Sequence, residues 1–151
     1  MKLITLIGAM VLIAVAANAQ TPNKNYDSVL AKKLNANDNG MKQYYLVIIK
    51  TGTSAITDKP ILDSLFRGHM KNIQKLASEN NLVVAGPLGR NDKNYRGIFV
   101  LNTASKEEAE KMVQTDPAVQ AKVFDAEYYP WFASAALQET LGIHNRLQKN
   151  N

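Results

Sequence analysis

The chain has 151 residues, a formal net charge of +5 and no cysteine. That length bounds one domain with a sizeable core. Without cysteine there is no disulfide framework, thiolate metal site, cysteine nucleophile or lipid-modified cysteine. The basic residues are scattered and form no stripe interleaved with aromatics, so nucleic acid is not an expected partner.

Residues 1–19 read as a secretory signal peptide. Lys2 supplies the positive end, Leu3 to Ala16 is almost wholly apolar, and Ala17-Asn18-Ala19 is small at both peptidase-facing positions. The apolar run is shorter than the roughly 20 residues that span a bilayer. The expectation is cleavage after Ala19, a periplasmic or secreted product, and no membrane attachment afterwards. Residues 20–40 are rich in Asn, Lys and Asp and read as a flexible linker or arm. Within it, Tyr26, Val29, Leu30 and Leu34 allow one short amphipathic turn.

The folded domain is expected over 41–131. Gln43–Lys50 is β-branched and aromatic and apolar on both faces, so it predicts a central strand. Pro60, with Asp58 or Thr57 as cap, opens a helix that runs to about Glu79. Leu62, Phe66, His69, Ile73 and Leu76 share its inner face. Leu82–Leu88 is a second strand ending in Gly86-Pro87. Gly97–Asn102 is a third, entered from Tyr95-Arg96. Ser105 and Glu108 make a capping box for a second helix, whose buried face is Ala109, Met112 and Val113. Asp116-Pro117 restarts a helical turn, and Val123–Trp131 is a fourth strand. Residues 132–151 read as a helical tail from the periodicity of Phe132, Ala136, Leu137 and Leu141.

The order β-α-β-β-α-β is the ferredoxin-like plan, an α+β fold with a four-stranded antiparallel sheet and both helices on one face. The other face is apolar too. A second copy of the same sheet would cover it, so the pattern predicts a homodimer.

Gly68-His69-Met70, the strand Leu82-Val83-Val84-Ala85-Gly86-Pro87-Leu88, Arg96-Gly97-Ile98, Ser105–Ala109 and Asp116-Pro117-Ala118-Val119 together resemble the YciI-like (YCII-related) family over Tyr44–Trp131. The resemblance implies a dimeric α/β barrel of two ferredoxin-like units, with a cleft that holds a His-Asp pair, here His69 and Asp116. One branch of that family resembles dehydrochlorinases of chlorinated aromatic rings, and no residue of this chain points to that branch.

The residues alone support two readings of each site. An imidazole on the inner helix face can move protons near neutral pH, or can be a packed core histidine. Asp116 before Pro117 caps a helical turn, and its second oxygen can also orient His69. That pairing requires a direct contact of about 2.6–3.2 Å or one bridging water. Gly86 and Pro87 allow close approach of a ligand to a strand end, or form an ordinary turn. Arg96 offers a planar fork to a substrate carboxylate, or is a solvated strand-edge residue. Tyr44, Tyr45, Tyr128 and Tyr129 read as core more than pocket lining, and His144 as surface. Two distant histidines make no zinc site, and no nucleotide loop or nucleophile elbow occurs, so no metal or cofactor is expected. Two function classes follow. One is a cofactor-independent enzyme of lyase, isomerase or hydrolase type, acting on a small organic molecule through His69 and Asp116. The other is a non-catalytic small-molecule-binding or structural homodimer of the cell envelope.

Overall fold

The computed structural model describes residues 23–149, so the signal-peptide expectation lies outside the described residues. The elements are α1 (Ser28–Lys33), β1 (Met41–Thr51), α2 (Lys59–Ser78), β2 (Leu82–Pro87), β3 (Tyr95–Leu101), α3 (Lys106–Gln114), α4 (Pro117–Gln120), β4 (Phe124–Ser134), a 3₁₀ turn (Ala135–Glu139) and α5 (Thr140–Leu147). The strands form one antiparallel sheet in the order β2-β3-β1-β4. This is the ferredoxin-like α+β fold, with a C-terminal helix added.

Caps set the helix starts. Asp58 accepts from the Ile61 amide at 3.0 Å and fixes α2. Ser105 accepts from the Glu108 amide at 3.3 Å and fixes α3. The reciprocal half of that capping box is replaced: the Glu108 carboxylate takes the Thr103 hydroxyl, and Thr103 in turn accepts the Ser105 amide at 3.1 Å.

Strand alternation sends Val47, Ile49, Phe99 and Leu101 toward the helices. There they meet Leu76, Leu82, Ala109, Val113 and Val119 in the main core. The opposite face buries Tyr44, Val83, Val100 and Ala133.

Part of that opposite face is covered by the chain itself. Leu137 packs on it, and Thr140 Oγ1 donates to the Val83 carbonyl at 2.7 Å. The stretch expected as a flexible arm contains α1, capped by Asp27, and Leu34 behind it is buried. Lys33 pairs with Glu139 at 2.9 Å, and Gln138 Nε2 donates to the Leu34 carbonyl at 2.7 Å. The two terminal segments thus clasp each other over one end of the sheet. Further along the same face, Tyr129 and Trp131 remain 47% and 38% exposed.

The C-terminal helix starts later than its periodicity suggested. Phe132 belongs to β4, because Met41–Gln43 of β1 supply ladder partners as far as Ser134. Pro130 is tolerated within β4 because that strand is an edge and one missing N–H is harmless there. None of the described helices is long and apolar enough to cross a membrane.

Candidate functional site

Helix α2 and the corner between α3 and α4 meet through three successive residue pairs. Gly68 lies against Pro117, His69 against Asp116, and Asn72 against Thr115. The corner is met in reverse order, Pro117, Asp116 and Thr115, as α2 advances from Gly68 to Asn72.

Asp116 is wholly buried. A buried carboxylate is costly unless its oxygens are hydrogen-bonded. Both are: Oδ1 accepts from the Ala118 amide at 2.9 Å as the cap of α4, and Oδ2 lies 2.5 Å from His69 Nδ1. One carboxylate therefore caps a helix and holds an imidazole at once. An ionised carboxylate only accepts, so in the neutral ring the proton of this contact sits on Nδ1 and the lone pair on Nε2.

His69 is held between two rings. Phe99 stacks on it at 6.0 Å between centroids, and Phe124 meets it edge-on at 5.1 Å. The side chain is only 15% exposed. Nε2 makes no hydrogen bond among the described residues. The fully buried side-chain polar atom without a partner among the described residues is Asn72 Nδ2. Phe66, expected on the inner face, is 41% exposed and touches Phe124 at 5.7 Å between centroids. Phenyl rings therefore border the imidazole and extend from it to the surface.

The other expected site residues fall elsewhere. Gly86 and Pro87 end the edge strand β2, paired with Ile98 and Gly97. The close approach in that region belongs to Gly97, whose added Cβ would lie 2.9 Å from the Gly86 carbonyl oxygen. Gly86 itself faces open space. Arg96 is exposed at the start of β3, beside the register shift opposite Ile49 and Lys50, and its guanidinium has no partner among the described residues. Tyr44 is core, as its alternation suggested, but Tyr129, expected there too, is exposed, as is His144.

Sequence reasoning missed two features. Asn72 is buried on α2, and the only signal for it was its position three residues after His69. On the outer sheet face, Glu127 accepts from Lys50 at 3.0 Å and from Tyr129 at 2.9 Å. Those two hydrogen bonds, Lys50 first, hold the Glu127 carboxyl below its ordinary pKa. A cleft of about 520 Å³ at the far end of the sheet, bordered by Asn35, Gln43, Glu108 and Phe132, does not include His69. No group of three or more His, Cys, Asp or Glu among the described residues is placed to hold a metal ion.

No curated protein matches the chain. Among solved structures it is similar to the 5-chloro-2-hydroxyhydroquinone dehydrochlorinase of Burkholderia phenoliruptrix AC1100 in complex with 2,5-dihydroxybenzoquinone. That likeness has 19% identity and a TM-score of 0.42, over 58% of this chain and 92% of that one. The YCII-related domain matches residues 43–132, which take in β1 through most of β4 and carry both His69 and Asp116, and the chain belongs to that family.

Proposed function

We propose that His69 and Asp116 form the acid–base pair of a site for a small organic molecule. The observation that carries this reading is the Nδ1–Oδ2 contact of 2.5 Å on a side chain that keeps 15% of its surface exposed. Nε2 takes a proton from the ligand and returns it, while Asp116 holds the Nδ1 proton and stabilises the imidazolium formed in between. Elimination, isomerisation and hydrolysis all suit such a pair, and none of them needs a cofactor.

The wider setting belongs to the same proposal. The protein is exported with cleavage after Ala19, and two copies pair through the half-covered sheet face that carries Tyr129 and Trp131, as a dimeric α/β barrel. Light scattering of the mature protein at micromolar concentration is expected to give a dimer, and a strict monomer would remove that part. The mass of the exported protein is expected to begin at Gln20.

A non-catalytic binding or structural dimer is the second reading. It is favoured by one observation: His69 is needed simply to satisfy a carboxylate buried to 0% exposure. A proton-transfer assay separates the two. A library of small carbon acids is incubated in D2O with the protein and with His69→Gln, and deuterium incorporation is followed by NMR. Exchange catalysed by the native protein and absent from the variant supports the acid–base pair. Equal exchange, or none with either, leaves the binding reading.

A further inference from the structure

Asn72 is 7% exposed. One end of its carboxamide lies 2.8 Å from Thr115 Oγ1, and the same hydroxyl lies 2.6 Å from the Met112 carbonyl oxygen. A threonine hydroxyl has one proton, and a backbone carbonyl can only accept. The proton therefore goes to Met112, and a lone pair of Oγ1 faces Asn72. The group that satisfies this lone pair is an N–H. The two ends of a carboxamide are nearly equal in shape, and assigning the nitrogen to the Thr115 side leaves an acceptor in place of a donor at the partnerless buried end. The resulting chain runs Asn72 Nδ2–H to Thr115 Oγ1, and Thr115 Oγ1–H to Met112 O.

We propose that Asn72 and Thr115 are a positioning pair for the acid–base centre. The inference rests on the reading of His69 and Asp116 given above. The tie joins α2 to the residue immediately before Asp116. Together with the packing of Gly68 on Pro117, it pins the corner on both sides of the carboxylate. Asp116 then stays opposite Nδ1 whether or not the imidazole carries its second proton. Without the tie, the same imidazole would have to hold the corner in place and move protons too.

The test reads the ring directly and needs no substrate. His69 and His144 are the two histidines of the chain, so His144→Gln leaves one imidazole for ¹⁵N NMR. With the tie intact, the neutral ring carries its proton on Nδ1, and that proton exchanges slowly with water. Thr115→Val keeps the shape and loses the hydroxyl. It is expected to speed Nδ1–H exchange about tenfold, the equivalent of one net hydrogen bond, and to let the Nε2–H tautomer appear. Thr115→Ser is expected to restore the native signals. The double variant Asn72→Leu with Thr115→Val removes both polar groups together, which preserves folding better than removing one, and is expected to behave like Thr115→Val. Native ¹⁵N shifts and slow exchange in both valine-bearing variants would overturn the inference, even with lowered stability. If the ring responds as expected but His69→Gln leaves deuterium exchange unchanged, the acid–base reading fails and the positioning of Asp116 by Asn72 stands.

Discussion

Gly68 and Pro117 touch so closely that a Cβ on the glycine would lie 2.9 Å from the proline Cγ. Alanine is favoured over glycine inside a helix by about 1 kcal/mol. Overpacking against a rigid ring costs about 1–3 kcal/mol. The expected outcome for Gly68→Ala is a net loss of up to about 2 kcal/mol in urea unfolding, with α4 pushed away from α2 and the Nδ1–H signal of His69 weakened. A stabilised variant would mean that the contact yields freely.

Asp116 serves two partners, and two substitutions separate them. Asp116→Asn keeps an oxygen for the Ala118 amide. Asp116→Ala loses both the cap and the contact with His69, at a cost of about 2–4 kcal/mol. Denaturant midpoints are expected in the order native, Asn, Ala. The imidazole nitrogen shifts should be abnormal in both variants.

Two glycines on paired strands should respond in opposite ways. Gly97→Ala drives a Cβ into the Gly86 carbonyl, at 2.9 Å from its oxygen, and is expected to cost about 1–3 kcal/mol. Gly86→Ala meets nothing within 4 Å and is expected to change stability by less than about 0.5 kcal/mol. Thermal melts of the two variants side by side decide this.

Glu127 sets an acid limit. Its carboxyl is held below the ordinary value of 4.5 by the Lys50 hydrogen bond first and the Tyr129 hydroxyl second. A depressed carboxylate stabilises the fold above its unfolded pKa, and that contribution fades as pH falls through the folded one. Stability is expected to drop below about pH 4.5. Lys50→Met, which removes the leading cause, should flatten that part of the profile.

Tyr128 sets an alkaline limit. Burial, reinforced by Glu110 and Asp125, raises its phenol to about 12. The unfolded phenol ionises near 10, so between these values the folded state binds more protons and stability falls as pH rises. Burial of Tyr44 and the Glu127 bond of Tyr129 also raise their phenols, so ultraviolet titration is expected to show several late phenolate transitions, with one fewer in Tyr128→Phe. That variant should also lose less stability above pH 10.

The fold was legible because each local signal agreed with the next. The run 43–50 is a central strand, Asp58 with Pro60 starts a helix, and the β-α-β-β-α-β order fixes the sheet. The pairing of His69 with Asp116 was legible only through the family resemblance, since helix periodicity placed the imidazole but not what faces it. Asn72 stayed hidden because a polar residue on an apolar face looks like an interruption until its partner, 43 positions away, is placed beside it. Phe132 departs from its helical periodicity for a related reason. Its spacing to Ala136 is helical, but the ladder offered by Met41–Gln43 outweighs local periodicity. The helix α1 lay within reach of the sequence as one amphipathic turn, whereas its clasp with Glu139 and Gln138 depends on contacts about a hundred residues apart.

That clasp gives the domain a direction. The clasped segments meet where Met41 pairs with Ser134, and Phe124, which touches His69, pairs with Thr51 at the other end of the same two strands. Ten residues of strand separate these points, about 33 Å. The clasp of Lys33 with Glu139 therefore sits at the end of the described domain remote from the imidazole. Protein immobilised through Lys33→Cys, in a chain that has no other cysteine, should present that corner outward and admit ligands as freely as protein in solution.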